Sequence, residues 1–288
     1  MSARGACWIG GRIVPVDQAS VSVLDHGLLY GDGVFEGIRF YAARPFELAA
    51  HLKRLADSAR AIALSLPWPT ERLAAIVNEV ISAYGKPDGY IRLIVTRGKG
   101  PLGINPATCN APELIVIADE LQFVDASVRS RGIRAIIAST RRLPVDGLDP
   151  RVKSLNYLNH ILARIEANSA GAGEALLLNQ RGFVAEGTAD NVFIVREGRL
   201  LTPQASDGAL LGVTRNVVVR LARDCGFEVQ ETSLAPYDLY TADECFLTGT
   251  GAELIPVREI DGRPLARCPG PVFTQIEESF RRAVRQAA

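Results

Sequence analysis

Apolar residues recur along this chain at two spacings, and where the spacing changes marks out its elements. Residues 7–16 follow a short strand-like pattern, and residues 34–48 read as a hairpin turning at Ala42-Ala43-Arg44-Pro45. The period then lengthens. Leu52, Leu55, Ala59 and Ile62 recur at helical spacing from His51 onward, and Leu73, Ile76, Val77 and Val80 make a second stripe between Thr70 as N-cap and Gly85 as stop. Strands resume over 90–96 and 113–118.

A polar stretch over 119–131 separates this rhythm from another that starts with a strand over 133–138. A helix from Asn156 presents Leu158, Ile161, Leu162 and Ile165 as its apolar face, and strands follow over 175–178, 192–195 and 199–202. A further helix over 213–225 ends at Gly226, and a last one over 272–285 carries Phe273, Ile276 and Phe280 on one side. The pattern predicts an α/β (α+β) protein in two domains: a small α/β domain over 1–120, a linker over 121–132 and a larger domain over 133–288.

Composition narrows the partners. With 32 basic and 32 acidic residues in 288, no global field favours nucleic acid or an anionic membrane, so a small molecule is the expected partner. The five cysteines and three histidines are scattered, without the spacing of a metal site, and the cysteines read as reduced thiols of a cytoplasmic protein. The N-terminus lacks the apolar core of a signal peptide, and no run approaches the roughly 18 apolar residues that span a bilayer.

Positive charge is carried almost everywhere by arginine; the lysines are Lys53, Lys86, Lys99 and Lys153. A guanidinium stays protonated, whereas a shielded lysine can lose its proton and attack a carbonyl, which makes Lys153 in Lys153-Ser154-Leu155-Asn156-Tyr157 a candidate nucleophile. Glu186, at a strand end among small residues, could face a basic ring nitrogen. Gly212-Val213-Thr214-Arg215 opens a helix and Thr248-Gly249-Thr250-Gly251 follows an apolar strand, so each could cup an anion, and Arg54 could close a fork on the same group. Gly98-Lys99-Gly100-Pro101-Leu102-Gly103 satisfies a dinucleotide fingerprint, but Pro101 and the following Ile104-Asn105-Pro106 forbid the helix that such a site needs.

The order of these segments resembles the fold-type IV pyridoxal-phosphate enzymes, the group of branched-chain and D-amino-acid aminotransferases and aminodeoxychorismate lyase. The resemblance covers nearly the whole chain. It is carried by residues 29–39 (Leu29-Tyr30-Gly31-Asp32-Gly33-Val34-Phe35-Glu36-Gly37-Ile38-Arg39), the Arg54 helix, Tyr90-Ile91-Arg92, the Lys153 segment, Glu186-Gly187-Thr188, the Gly212 segment and Gly249-Thr250-Gly251. It implies a larger domain built on a barrel-like sheet and a homodimer whose site is completed by the neighbour's loop. Lys153 would form the Schiff base with pyridoxal 5'-phosphate, Tyr157 would meet its phenolic oxygen and Glu186 its ring nitrogen. Arg54, Val213, Thr214 and Thr250 would hold the phosphate, with Leu210 packed on the ring.

Within the group, Val34-Phe35-Glu36-Gly37-Ile38-Arg39 and Tyr90-Ile91-Arg92 look like the branched-chain branch; D-amino-acid enzymes more often have tyrosine and a bulkier aliphatic residue at Phe35 and Gly37. The resemblance then implies transamination between L-branched-chain amino acids and 2-oxoglutarate. Tyr30, Phe35, Gly37, Tyr90, Arg92, Arg97, Thr250 and Gly251 would contact the substrate. Arg92 would meet a distal carboxylate, and Arg97 is the carboxylate anchor of the D-amino-acid alternative. Phe123 stands where some branched-chain enzymes have a tyrosine. The alternatives are a D-amino-acid or (R)-amine transaminase, aminodeoxychorismate lyase, or a non-catalytic carrier of the cofactor, and no metal is implied.

Overall fold

The computed structural model describes residues 5–120 and 126–287, so Phe123 and part of the expected linker lie outside the described residues. The chain forms two compact units. The first comprises residues 5–120, Val152–Asn156 and residues 284–287, and the second residues 126–151 and Tyr157–Ala283. This corrects the expected 133–288 boundary, because the segment bearing Lys153 packs with the first unit. Its backbone explains why: Phe35 N donates to Lys153 O at 3.0 Å, Leu155 N donates to Gly33 O at 3.0 Å, and Val34 bridges Ser154.

The strands of the first unit are β1 (Gly5–Ile9), β2 (Arg12–Pro15), β3 (Gly33–Tyr41), β4 (Arg44–Pro45), β5 (Gly89–Thr96) and β6 (Glu113–Asp119), in the order β2-β1-β6-β5-β3-β4. The single strand expected over 7–16 is thus a hairpin. Gly10 and Gly11 make its turn at φ 57° and 81°, a left-handed pair that glycine adopts without strain. The second hairpin is shorter than expected, since β4 ends at Pro45 and the chain enters a helix at Leu48.

Helices α1 (His26–Tyr30), α2 (Leu48–Ala61) and α3 (Thr70–Tyr84) complete the unit. Gly85 closes α3 at φ 74° as its position implied, but Pro69 rather than Thr70 is the N-cap. Leu52, Leu55, Ile76, Val77 and Val80 pack with Ile38, Phe40, Ile91, Leu93 and Val116 in one core.

Nine strands form the sheet of the second unit: β7 (Ile133–Ile137), β8 (Glu174–Leu178), β9 (Val184–Gly187), β10 (Asn191–Arg196), β11 (Arg199–Pro203), β12 (Val229–Thr232), β13 (Glu244–Gly249), β14 (Glu253–Ile260) and β15 (Arg263–Pro264). Eight run β12-β11-β10-β13-β14-β7-β8-β9, β15 pairs with β14, and the sheet curls into a half-barrel. Its helices are α4 (Ala126–Arg131), α5 (Leu158–Ser169), α6 (Val213–Asp224), α7 (Pro236–Tyr240) and α8 (Pro271–Ala287), of which the last turn of α8 belongs to the first unit. In α8, Phe273, Ile276 and Phe280 are buried as the pattern implied.

Helix α5 reverses its expected orientation. Leu158, Ile161, Leu162 and Ile165 are 48–66% exposed, and the side turned inward carries His160, Ala163 and Ala167. Small residues let the helix lie close on β8, which leaves the larger aliphatic side facing out.

Candidate active site

In the first unit, β3 sorts its side chains by parity. Val34, Ile38 and Phe40 enter the core with Glu36 among them, while Phe35, Gly37 and Arg39 turn to the other face opposite Ile94, Arg92 and Tyr90 of β5. Gly37 is required by its neighbour: a Cβ there would run into the Tyr90 hydroxyl. The Arg92 guanidinium carbon lies 4.6 Å from the Phe35 ring centre and 5.4 Å from that of Tyr90, and Lys153 Nζ lies 4.6 Å from the Phe35 ring. One aromatic ring thus carries two cations at cation–π distance. No carboxylate of the described residues pairs with Arg92. The Lys153 amide donates to Ser58 Oγ on α2 at 3.1 Å.

On the core side, Glu36 is fully buried. Arg54 of α2 meets it as a fork, Nε to Oε1 at 2.7 Å and Nη2 to Oε2 at 2.8 Å, and His51 Nδ1 reaches Oε2 at 2.7 Å. Burial alone would raise this carboxyl, but the hydrogen bonds and charge of Arg54, with those of His51, hold it at about 2. Burial lowers the pKa of His51 and the Glu36 carboxylate opposes it; facing an ionised carboxylate, Nδ1–H is the donor. The fork expected to close on the phosphate is therefore closed on Glu36 instead, through Nε and Nη2 of Arg54.

Arg97 is placed otherwise than as a substrate anchor. Nε and Nη2 hold Asp32 at 2.9 Å each, Nη1 donates to Ala63 O at 2.7 Å and Nη2 to Ile62 O at 2.8 Å. Four bonds to protein make it a brace for the turn after β5. Tyr30, on α1, accepts from Gly103 N at 2.9 Å. The 98–103 stretch is a loop, as Pro101 requires.

In the second unit, Glu186 is the next-to-last residue of β9, with 5% exposure. Oε1 accepts from Arg142 Nε at 2.8 Å and lies 3.5 Å from His160 Nε2; Oε2 accepts from Leu210 N at 2.8 Å. Burial would raise this carboxyl, yet His160, the Arg142 charge and the Leu210 amide together hold it below its ordinary value. Tyr157 stacks on His160 with ring centres 4.3 Å apart.

Leu210 is fixed from both sides, since its carbonyl accepts from Asn191 Nδ2 at 2.8 Å. Two residues on, Gly212 caps α6 without a side-chain hydrogen bond, which leaves the amides of Val213 and Thr214 at the positive end of the helix. A Cβ on Gly212 would strike Asn191 Oδ1, and one on Gly249 would strike Asp190 Oδ1, so a larger residue at either turn would have to displace that side chain. Thr250 and Gly251 follow Gly249 directly, and the buried Thr248 hydroxyl has no hydrogen-bond partner among the described residues.

The structure therefore groups Phe35, Gly37, Tyr90, Arg92 and Lys153 in one unit, and Glu186, Leu210 and, through His160, Tyr157 in the other. Sequence reasoning passed over Glu36 and His51 and missed Arg142 and His160. His160 was visible as a helical neighbour of Tyr157. Arg142 was not, because nothing in spacing ties it to a glutamate 44 residues on.

These residues suit pyridoxal phosphate: an amine for its carbonyl, an ionised buried carboxylate for a protonated ring nitrogen, and an uncapped helix start for its phosphate. The family model for class IV amino-transferases matches residues 33–260, and the chain belongs to that family of pyridoxal-phosphate enzymes.

The particular proteins that it resembles are branched-chain aminotransferases. The Escherichia coli (strain K12) branched-chain-amino-acid aminotransferase is 34% identical over 281 residues, 95% of this chain and 91% of the relative. The crystal structure of the branched-chain aminotransferase from Thermoproteus uzoniensis with norvaline superimposes with a TM-score of 0.92 at 38% identity, covering 98% of this chain and 95% of that one. A T.th. branched-chain amino acid aminotransferase complexed with N-(5'-phosphopyridoxyl)-L-glutamate gives 0.92 at 40% identity, covering 99% of this chain and 95% of that one.

Proposed function

We propose that this enzyme moves the amino group of L-leucine, L-isoleucine or L-valine to 2-oxoglutarate. The observation that carries the reading is the Phe35 ring flanked by Arg92 and Lys153. Phe35 and Tyr90 accept an aliphatic side chain, and Arg92, with no carboxylate of its own, receives the distal carboxylate of glutamate or 2-oxoglutarate. The T.th. relative's complex with a glutamate adduct supports the second half of that reading.

Pyridoxal phosphate supplies, when bound, a carbonyl that captures the amino group and a ring that accepts the electrons released at Cα. Lys153 takes and returns the proton at the substrate Cα. Glu186 holds a proton at the ring nitrogen, Leu210 lies against the ring, and Tyr157 meets its phenolic oxygen. Arg54, Val213, Thr214 and Thr250 hold the phosphate. Arg97, committed to Asp32, supports no D-amino-acid anchor.

The enzyme works as a homodimer in the cytoplasm. The exposed aliphatic side of α5 and five free cysteines support this, and no helix among the described residues is long and apolar enough to cross a membrane.

An amino-donor screen with both enantiomers, read against 2-oxoglutarate and pyruvate, tests the substrate. The L-branched-chain donors with 2-oxoglutarate should be fastest; preference for D-alanine with pyruvate overturns the reading. Arg92→Ala should slow glutamate about ten- to a hundredfold more than leucine, the loss of a charge-assisted hydrogen bond of roughly 1.5–3 kcal/mol. Borohydride reduction and peptide mapping should find the phosphopyridoxyl group on Lys153 alone.

A further inference from the structure

Arg142 has no part in the reading so far, yet it makes one of the two short bonds to Glu186. Its side chain is 7% exposed and that of Glu186 6%. Nε points at Oε1, while Nη1 donates to Asn159 Oδ1 at 3.2 Å. The surrounding main chain is tied down on several sides: Arg142 N donates to Leu178 O at 2.8 Å, Gln180 Nε2 to Arg142 O at 3.2 Å and Asn159 Nδ2 to Arg141 O at 2.9 Å. Just upstream, Glu166 of α5 accepts from the amides of Ser139 and Thr140 at 2.6 and 3.0 Å.

A carboxylate that partners a ring nitrogen must be the weaker base of the two, or the shared proton passes to oxygen and the ring loses its pull on electrons. Burial works the wrong way, since it makes a carboxylate a stronger base. A guanidinium cannot give up its proton, and at 2.8 Å it opposes that tendency, whereas His160 at 3.5 Å is at the limit of a hydrogen bond.

We propose that Arg142 is a positioning residue acting through Glu186, keeping the carboxylate ionised and aimed so that the shared proton stays on the cofactor's ring nitrogen. No proton leaves the pair; Arg142 decides which of the two atoms carries it. The proposal rests on Glu186 being the ring partner.

Holoenzyme variants Arg142→Gln, Arg142→Lys and Glu186→Gln, reconstituted with ring-15N pyridoxal phosphate, test it, because the 15N shift separates a protonated ring from an unprotonated one. In Arg142→Gln the signal should move toward the unprotonated ring and kcat should fall about ten- to a hundredfold, the effect of losing one charge-assisted hydrogen bond. KM for the amino donor should change little. Arg142→Lys, which returns a positive charge, should recover the protonated signal and part of the rate; no recovery would make Arg142 a packing residue and overturn the proposal.

A protonated signal with parent kcat in Arg142→Gln, beside a shifted signal in Glu186→Gln, would overturn the Arg142 role and leave the ring-partner reading intact. A protonated signal in Glu186→Gln would sink that reading and the Arg142 role with it. Should Arg142→Gln fail to fold, Asn159→Leu decides. It leaves the charge but frees the guanidinium, and should shift the signal part of the way; an unmoved signal counts against the proposal.

Discussion

Two buried glutamates, one in each unit, meet the same company of an arginine and a histidine, and they end in different conditions. Glu36 takes Arg54 as a fork on both oxygens, with His51 making a third bond, all at 2.7–2.8 Å. Glu186 takes Arg142 through Nε alone, and its second short bond is to a backbone amide. The forked pair closes on itself and fixes its arginine. The end-on pair leaves Oε2, which among the described residues accepts only from the Leu210 amide, with a lone pair to offer something else. A third case shows what an acid does without a close cation: burial and the neighbouring Glu174 push Asp190 up to about 7. How the arginine approaches therefore separates a carboxylate that braces from one equipped for chemistry.

The sharpest way to break this contrast is to remove the closed pair. Glu36→Ala strands Arg54 and should cost about 3–5 kcal/mol of stability, measured by denaturant unfolding of the holoenzyme. A loss below about 1 kcal/mol would mean that the fork contributes little. Glu186→Gln should behave in the opposite way, retaining most of the cofactor while single-turnover rates drop about a hundred- to a thousandfold. Parent-like turnover in that variant would remove the distinction altogether.

Acid provides a gentler probe. The folded values of Glu36 and Glu166 lie near 2, below the ordinary 4.5, so the stability they contribute is fully present above pH 4.5 and is lost as pH falls toward 2. Glu36→Gln should flatten that acid limb in a plot of unfolding free energy against pH. Asp190 has the reverse sign. Its folded value lies above the ordinary 3.8, so it weakens the fold increasingly as pH rises from 3.8 through 7, and Asp190→Asn should raise Tm more at pH 8 than at pH 5.

Periodicity revealed which segments are helices and strands, because burying one face imposes a repeat. The helices from Leu48, Thr70, Val213 and Pro271 and the strands from Gly89 and Glu113 were legible for that reason. It could not tell which face turns inward. The aliphatic stripe of α5 has the right spacing but faces out, since the close approach to β8 selects the small side. The β1–β2 turn was marked by Gly10-Gly11 and overlooked because apolar residues continue beyond it. Lys153 and Glu186 stood out by residue type and context. Arg142 did not, because a contact across 44 residues is a product of topology and leaves no trace in local spacing.

The route of the chain has one more effect. Lys153 reaches the first unit on a five-residue excursion, Val152–Asn156, from a stretch whose neighbours on either side belong to the second. A gene fragment ending near residue 120 would therefore encode most of the first unit without Lys153, and β3 would lose the backbone partner it finds at Ser154. Neither unit can be handed on as a cassette, so recombination within this gene has few crossover points that keep the lysine with the strand it completes. The halves must be inherited together.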